Sequence, residues 1–197
     1  MGVAMGTRTP AAESALFTLC PLFHGVAPES VGALLERGEL RGCEAGQVLL
    51  DPAVPNDELF IVLDGSVGVH LGSPANVPVK QGEPGDCFGE MSLIDGGNPS
   101  AFVVAEAGAC VFVLKKDLVW SLVENSHGVA RNLLRIVSGR VRQANARQFE
   151  IERSALVDAL TGLHNRRWLD EMFERQVRRC TRESRPVSLF MVDVDRF

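Results

Sequence analysis

The spacing of apolar positions changes along the chain, and each change marks a new kind of element. Over residues 13–26, Ala15, Leu16, Leu19, Leu22 and Phe23 recur at helical spacing, with a break expected around Pro21. Ala27-Pro28-Glu29-Ser30 opens a second helix, with proline near its first position and an acid in its first turn. Val31, Leu34 and Leu35 form its apolar face, and Gly38 is its expected stop. Beyond Gly42 the texture shifts to short apolar runs between glycines and turn residues. These predict strands at residues 47–50, 59–63, 66–71, 102–104 and 110–114. The run from Leu59 to Val69, interrupted by Asp64-Gly65, reads as a hairpin. Many short strands at close spacing predict a small antiparallel barrel or sandwich.

After Lys116-Asp117 the helical period returns. Leu118, Val119, Leu122 and Val123 predict a short helix, broken at Asn125-Ser126-His127-Gly128, where Ser126 is a candidate cap for a longer one. In that longer helix Ala130, Leu134, Val137, Val141, Ala144, Gln148, Ile151 and Ala155 recur at alternating steps of four and three. This is a heptad seam, flanked by Arg131, Arg135, Arg140, Arg142, Arg147 and Arg153. Unbroken over 128–155, the helix is about 42 Å long at ~1.5 Å per residue, more than one small barrel can cover. Parallel dimerisation is the expected use, and packing on its own barrel the alternative. A further helix is predicted over 168–182, with Leu169, Phe173 and Val177 on one face and Arg185-Pro186 ending it. The apolar run 187–192 then reads as a buried strand that ends in Asp193-Val194-Asp195-Arg196-Phe197. One helix and one strand do not make an independent sheet domain, so this segment reads as the opening of an incomplete α/β domain.

Composition narrows the classes. At 197 residues the chain accommodates one large or two small domains, and 46% hydrophobic content supports a packed core. A formal charge of -5 gives no general reason to expect nucleic acid as a partner. The five cysteines, Cys20, Cys43, Cys87, Cys110 and Cys180, form no C-x-x-C pair, which argues against zinc or a disulfide framework and for a reducing cytoplasm. No apolar run approaches the roughly 20 residues of a membrane span. Residues 1–12 are small and polar and read as a flexible tail.

Candidate chemistry concentrates at Gly85-Asp86-Cys87-Phe88-Gly89-Glu90-Met91-Ser92-Leu93, followed by a Gly96-Gly97 turn and the return Asn98-Pro99-Ser100-Ala101. The order predicts one helical turn with free backbone N–H groups facing an anion, and Gly89 allows close approach to the backbone. Glu90, repelled by an anion, is the acceptor for a hydroxyl. A sugar phosphate fits that combination. His24, His70 and His127 have no spacing for metal ligation or a catalytic triad. Trp120 and Trp168, on predicted helices, read as packing residues.

Residues from about Cys20 to Arg142 resemble the cyclic-nucleotide-binding domain shared by catabolite activator proteins and cyclic-nucleotide-regulated kinases. The resemblance rests on Pro21-Leu22-Phe23 with Val26-Ala27-Pro28-Glu29, on Ala45-Gly46-Gln47-Val48-Leu49, on Asp57 through Gly65-Ser66-Val67, and on the cassette from Gly85 to Leu93. It implies a double-stranded β-helix or jelly-roll barrel, mainly β with flanking helices and a long C-terminal dimerisation helix. It also implies a cyclic AMP or cyclic GMP ligand held by Gly89, Glu90, Met91, Ser92, Ser100 and Ala101, with Glu90 on the ribose 2′-hydroxyl. The family places an arginine before the small-residue return, where this chain has Pro99 or Ser100, and no arginine lies between Arg41 and Arg131. Lys80 is the nearest cation in sequence, at a spacing that gives no reason to expect it at the phosphate. A charge-assisted hydrogen bond is worth about 1.5–3 kcal/mol, so its loss weakens cyclic-nucleotide binding, or points to a cyclic dinucleotide or to no ligand. Asn145 aligns with the position from which a partner's dimer helix reaches a bound base.

A second resemblance begins at Asp158-x-Leu160-Thr161-Gly162-Leu163-x-Asn165-Arg166-Arg167, which is similar to the opening motif of GGDEF (diguanylate cyclase) domains. It implies that Asp193, with the carbonyl of Val194, holds Mg²⁺, and that Asp158 and the Asn-Arg-Arg end brace the turn after the signalling helix. The Gly-Gly-acid-acid-Phe hairpin that names the family is absent, so the chain as given is not expected to make cyclic di-GMP. The resulting expectation is a flexible tail over 1–12, a cyclic-nucleotide-binding-like sensor over 13–127, a homodimeric signalling helix over 128–157 and the start of a GGDEF domain over 158–197. The alternatives are a catabolite-activator-like transcription regulator and a ligand-free dimerisation scaffold.

Overall fold

The computed structural model describes residues 10–106, 108–154, 156–158 and 160–192. They divide into two compact units, with the break after Arg140, inside the longest helix.

The first unit opens with α1 (Pro10–Leu19), a 3-10 turn (Pro21–Phe23) and α2 (Pro28–Leu35). Pro21 and Pro28 each begin their helical segment, where a missing N–H costs nothing. Eight strands follow: β1 (Glu39–Gly42), β2 (Val48–Leu50), β3 (Glu58–Asp64), β4 (Val67–His70), β5 (Lys80–Gly82), β6 (Cys87–Phe88), β7 (Phe102–Ala105) and β8 (Cys110–Lys115). They form two antiparallel four-stranded sheets, ordered β1-β8-β3-β6 and β2-β7-β4-β5. The helix α3 (Glu90–Asp95) interrupts them between β6 and β7, and α4 (Lys116–Asn125) and α5 (His127–Ser154) follow.

The near-continuous apolar runs of β3 and β8 arise because their sheet is covered on both faces. Phe60, Val62, Val111 and Val113 point between the sheets, with Val67, Phe88, Val103 and Ala105. Leu59, Ile61, Phe112 and Leu114 point the other way, onto Leu16, Phe23, Leu35 and Leu122 of the helices. Each fully buried side chain of this size contributes about 1.5–3 kcal/mol relative to exposure.

The mainly β fold with flanking helices and a long C-terminal helix is as expected, and of the barrel or sandwich predicted the sheets form the sandwich, without closing into a barrel. One expectation is corrected here. The Asp64-Gly65 turn is a corner, and β3 and β4 are not hairpin partners. The strand β3 pairs with β6 and β8, whereas β4 pairs with β5 and β7, so each is already bonded on both sides. Gly65 turns this corner at φ +71°, where an added Cβ would lie 2.8 Å from the Ala109 Cα. The strands β1, β5 and β6 were not foreseen, because each is too short or too polar to show alternation.

The helix expected over 128–155 is α5, but its buried stripe is not the heptad seam. Val129, Asn132 and Leu133 are buried, with Ile136 packed beside them, so the early turns lie on the first unit's own core. Asn132, 2% exposed, donates its Nδ2 to the carbonyls of Leu22 (3.1 Å) and His24 (2.9 Å) and ties α5 to the opening helices. Ser126 Oγ accepts from the Val129 N–H at 3.4 Å, as a cap does. The seam faces outward instead, with Leu134 70% and Val141 50% exposed.

In the second unit, Asp158 accepts from the Thr161 N–H (2.9 Å) and hydroxyl (2.7 Å), and backbone bonds join Asp158 to Leu163 and Leu156 to Asn165. Asn165 caps α6 (Arg166–Arg182), accepting from the Trp168 N–H at 3.2 Å. The expected buried strand over 187–192 does not form: these residues have no sheet pairing, and Phe190, Met191 and Val192 are almost fully exposed. A strand exists only against a neighbour that takes its backbone groups, and the described residues of this unit offer none beyond the Val157–His164 bridge.

Candidate functional site

The cassette is held from behind by β3. Phe88 and Cys87 of β6 pair with Phe60 and Ile61, and Val62 exchanges backbone bonds with Asp86 (2.9 Å) and Gly85 (2.8 Å). The chain then turns at Gly89, with φ +94°, into α3. A Cβ on Gly89 would lie 2.4 Å from the carbonyl oxygen of Glu58, so the backbone here is pressed against the end of β3. Glu58 is itself fixed. Asn56 bonds its carbonyl (2.8 Å) and N–H (3.1 Å), while Arg41 (3.0 Å) and Lys115 (2.7 Å) hold its carboxylate. Burial pushes the Glu58 carboxyl up, but Arg41 and Lys115 together bring it below its ordinary value.

Glu90 begins α3 and is 5% exposed. Burial raises its pKa, opposed chiefly by Arg140 and more weakly by Lys80. Arg140 comes from α5: its Nε lies 3.5 Å from Glu90 Oε1, and its Nη2 donates to the Cys87 carbonyl at 2.8 Å. The Phe88 ring lies beside two cations, with the Arg140 guanidinium 5.2 Å and the Lys80 ammonium 5.7 Å from its centroid. Lys80 also pairs with Asp86 at 2.9 Å. The structure therefore brings two cations to a cassette whose own sequence has none. Local pattern does not place either: Lys80 lies in β5, too short and polar to show as a strand, and Arg140 lies off the outer heptad seam.

Of the six ligand-binding residues expected, Gly89, Glu90, Met91 and Ser92 are consecutive at the start of α3. Glu90 and Ser92 are buried and Met91 is exposed. Ser92 Oγ is a buried polar atom with no hydrogen-bond partner among the described residues, a state that leaves desolvation uncompensated unless a ligand or water supplies one. Ser100 is exposed and Ala101 half-buried, after a turn in which Asn98 Nδ2 donates to the Pro52 carbonyl at 2.9 Å. Asn145 lies on the exposed stretch of α5. Asp193 and Val194 lie outside the described residues. Among those described, no group of three or more His, Cys, Asp or Glu side chains is arranged to hold a metal. No described helix is long and apolar enough to cross a membrane. His164, which the sequence did not single out, stacks on Trp168 at 3.9 Å between centroids, a packing role.

Glu90 is thus a buried carboxylate at the start of a glycine-led helical turn between β6 and β7. Residues 40–126 match the cyclic nucleotide-binding domain family, and residues 155–197 match the GGDEF domain of diguanylate cyclases. The cyclic AMP receptor protein of Thermus thermophilus is 33% identical over 150 residues, which cover 73% of this chain and 69% of that protein. Among solved structures, the catabolite activator protein of Thermus thermophilus superposes with a TM-score of 0.59 at 31% identity, covering 67% of this chain and 63% of that one. A cyclic nucleotide-binding domain from Methylobacillus flagellatus does so with a TM-score of 0.59 at 26% identity, covering 76% and 85%. The chain belongs to the cyclic nucleotide-binding domain family, of the catabolite activator kind, and a partial GGDEF domain follows. It spans 69% of the receptor and 63% of the solved activator chain.

Proposed function

We propose that this chain is a cytoplasmic cyclic-nucleotide sensor that acts, as a parallel homodimer, on a GGDEF output domain through α5. Residues 13–127 form the sensor in this reading, 128–157 the signalling helix and 158–197 the beginning of the output domain. The observation that carries it is the Glu90–Arg140 pair, which joins the ligand-facing carboxylate to the signalling helix. Asp193 and Val194, assigned by resemblance to Mg²⁺, lie outside the described residues, and the switch runs without them.

Glu90 accepts the ribose 2′-hydroxyl of cyclic AMP or cyclic GMP, which gives its buried carboxylate a second partner. Arg140 then shares Glu90 with the ligand, so the position of α5 that suits the empty pocket differs from the one that suits the filled pocket. Ligand with unequal affinity for the two shifts their populations. The outward seam of Leu134 and Val141 gives the second copy its contact, so movement of one helix is felt by both output domains. A DNA-binding regulator is the weaker reading, since the residues after α5 match a GGDEF domain.

The switch is tested by amide hydrogen exchange on the full chain. Saturating cyclic AMP or cyclic GMP is expected to change protection in residues 127–154 as well as in the cassette, and a response confined to the cassette would contradict the proposed coupling. Glu90→Gln separates stability from binding. Because the folded pKa of Glu90 lies above its ordinary value, its ionised form costs stability at neutral pH, a cost relieved as pH falls through the folded pKa. Glu90→Gln therefore raises the melting temperature at neutral pH and removes that pH dependence, while ligand affinity falls at least about tenfold. Differential scanning fluorimetry with calorimetric titration measures both.

A further inference from the structure

A cyclic nucleotide brings one negative charge, and the cassette over 85–101 has no cationic side chain to meet it. Pro99 and Ser100 occupy the return, and no arginine lies between Arg41 and Arg131. Of the two cations near Phe88, Lys80 is already paired with Asp86 at 2.9 Å. Arg140 is different. It offers five N–H donors in a planar fork, and among the described residues Nε and Nη2 are engaged, with Glu90 and with the Cys87 carbonyl.

We propose that Arg140 is the phosphate-binding residue of this pocket, so that the ligand's counter-charge is carried by the signalling helix and not by the cassette loop. The inference rests on reading the cassette as a cyclic-nucleotide pocket. The ligand's own covalent structure then does the placing. The 2′-hydroxyl and the phosphate-bearing 3′-oxygen of a cyclic ribonucleotide are vicinal, so a hydroxyl on Glu90 sets the phosphodiester beside it. Arg140 Nε is already 3.5 Å from that carboxylate. The guanidinium can keep Glu90 and take the phosphate with its remaining donors, an arrangement a lysine's point charge reproduces poorly. Arg140 is also the last residue of the first compact unit, at the place where α5 leaves it. An arginine in the loop would hold the phosphate without reporting to α5. Here binding the anion and fixing the helix are one event.

Calorimetric titration of the full chain with cyclic AMP and cyclic GMP tests this in wild type, Arg140→Ala, Pro99→Arg and the double variant, each checked for folding by circular dichroism. Arg140→Ala is expected to lower affinity roughly tenfold to a hundredfold. Adding Pro99→Arg, which returns the charge to the loop, is expected to recover most of that loss while hydrogen exchange in α5 no longer responds to ligand. Unchanged affinity in Arg140→Ala overturns this assignment alone. A loss that Pro99→Arg fails to recover in a folded double variant marks Arg140 as structural and overturns it too. Absence of binding by folded wild type overturns it together with the sensor reading.

Discussion

Gly89→Val is expected to destabilise the first unit by about 3 kcal/mol and to remove ligand binding with it. Two costs add. At φ +94° a residue with a Cβ is strained, at about 1–2 kcal/mol. The Cβ also falls 2.4 Å from the Glu58 carbonyl oxygen and 2.9 Å from Asn56 Nδ2, atoms that already bond each other. Neither is the free end of a flexible side chain: Glu58 lies in β3, and its carboxylate is held by Arg41 and Lys115. The overpacking cost is about 1–3 kcal/mol. A melting-temperature fall on the order of 10 °C follows for a unit of this size. Thermal denaturation with a parallel ligand titration checks it, and a variant as stable as wild type would show that the turn does not press on β3.

Phe112→Ala is expected to cost about 3–5 kcal/mol, the range for emptying an aromatic site in a packed core. Phe112 is fully buried on β8, the strand between β1 and β3, on the face that meets the helices. Its ring fills the space where a Cβ on Gly38 would be, with ring atoms 2.1–2.8 Å from that point. Gly38→Ala in the wild-type background is therefore an overpacking change of about 1–3 kcal/mol. In the Phe112→Ala background it should cost almost nothing, because the ring is gone. The two changes are then strongly non-additive, and a double-mutant cycle by urea denaturation measures the coupling. Additive costs would contradict the contact.

The parts of this fold that the sequence showed are those governed by local period. The apolar runs of β3 and β8, the break at Pro21, the proline opening α2, the glycine-led turn at Gly89, the capped helix α5 and the body of α6 all follow from rules acting within a few residues. Long-range pairing explains what was missed. Asp64-Gly65 has the local chemistry of a hairpin, and only the partners of β3 and β4 across two sheets make it a corner. The apolar run at 187–192 has strand composition but no partner to bond it among the described residues.

Arg140 is the more instructive case. Two stripes of apolar residues run along α5, one through Ala130, Leu134 and Val137 and the other through Val129, Leu133 and Ile136. Only the second is buried, and one more step of four along it arrives at Arg140. Phasing the helix on that stripe places Arg140 on the face that meets the core, and the fold then brings it to the cassette. The outer stripe keeps its heptad spacing from Ala130 to Ala155, further than the buried one. Burial of Glu90, by contrast, was not visible in any pattern, since a glutamate beginning a helix is ordinarily a solvated one.

The central claim is that a cyclic nucleotide occupies this pocket through Glu90, and calorimetric titration of the folded chain tests it most directly. Saturable heat with cyclic AMP or cyclic GMP, one site per chain and an affinity at least about tenfold weaker in Glu90→Gln, is the predicted result. No heat with either nucleotide, or equal affinity in the two proteins, would contradict it.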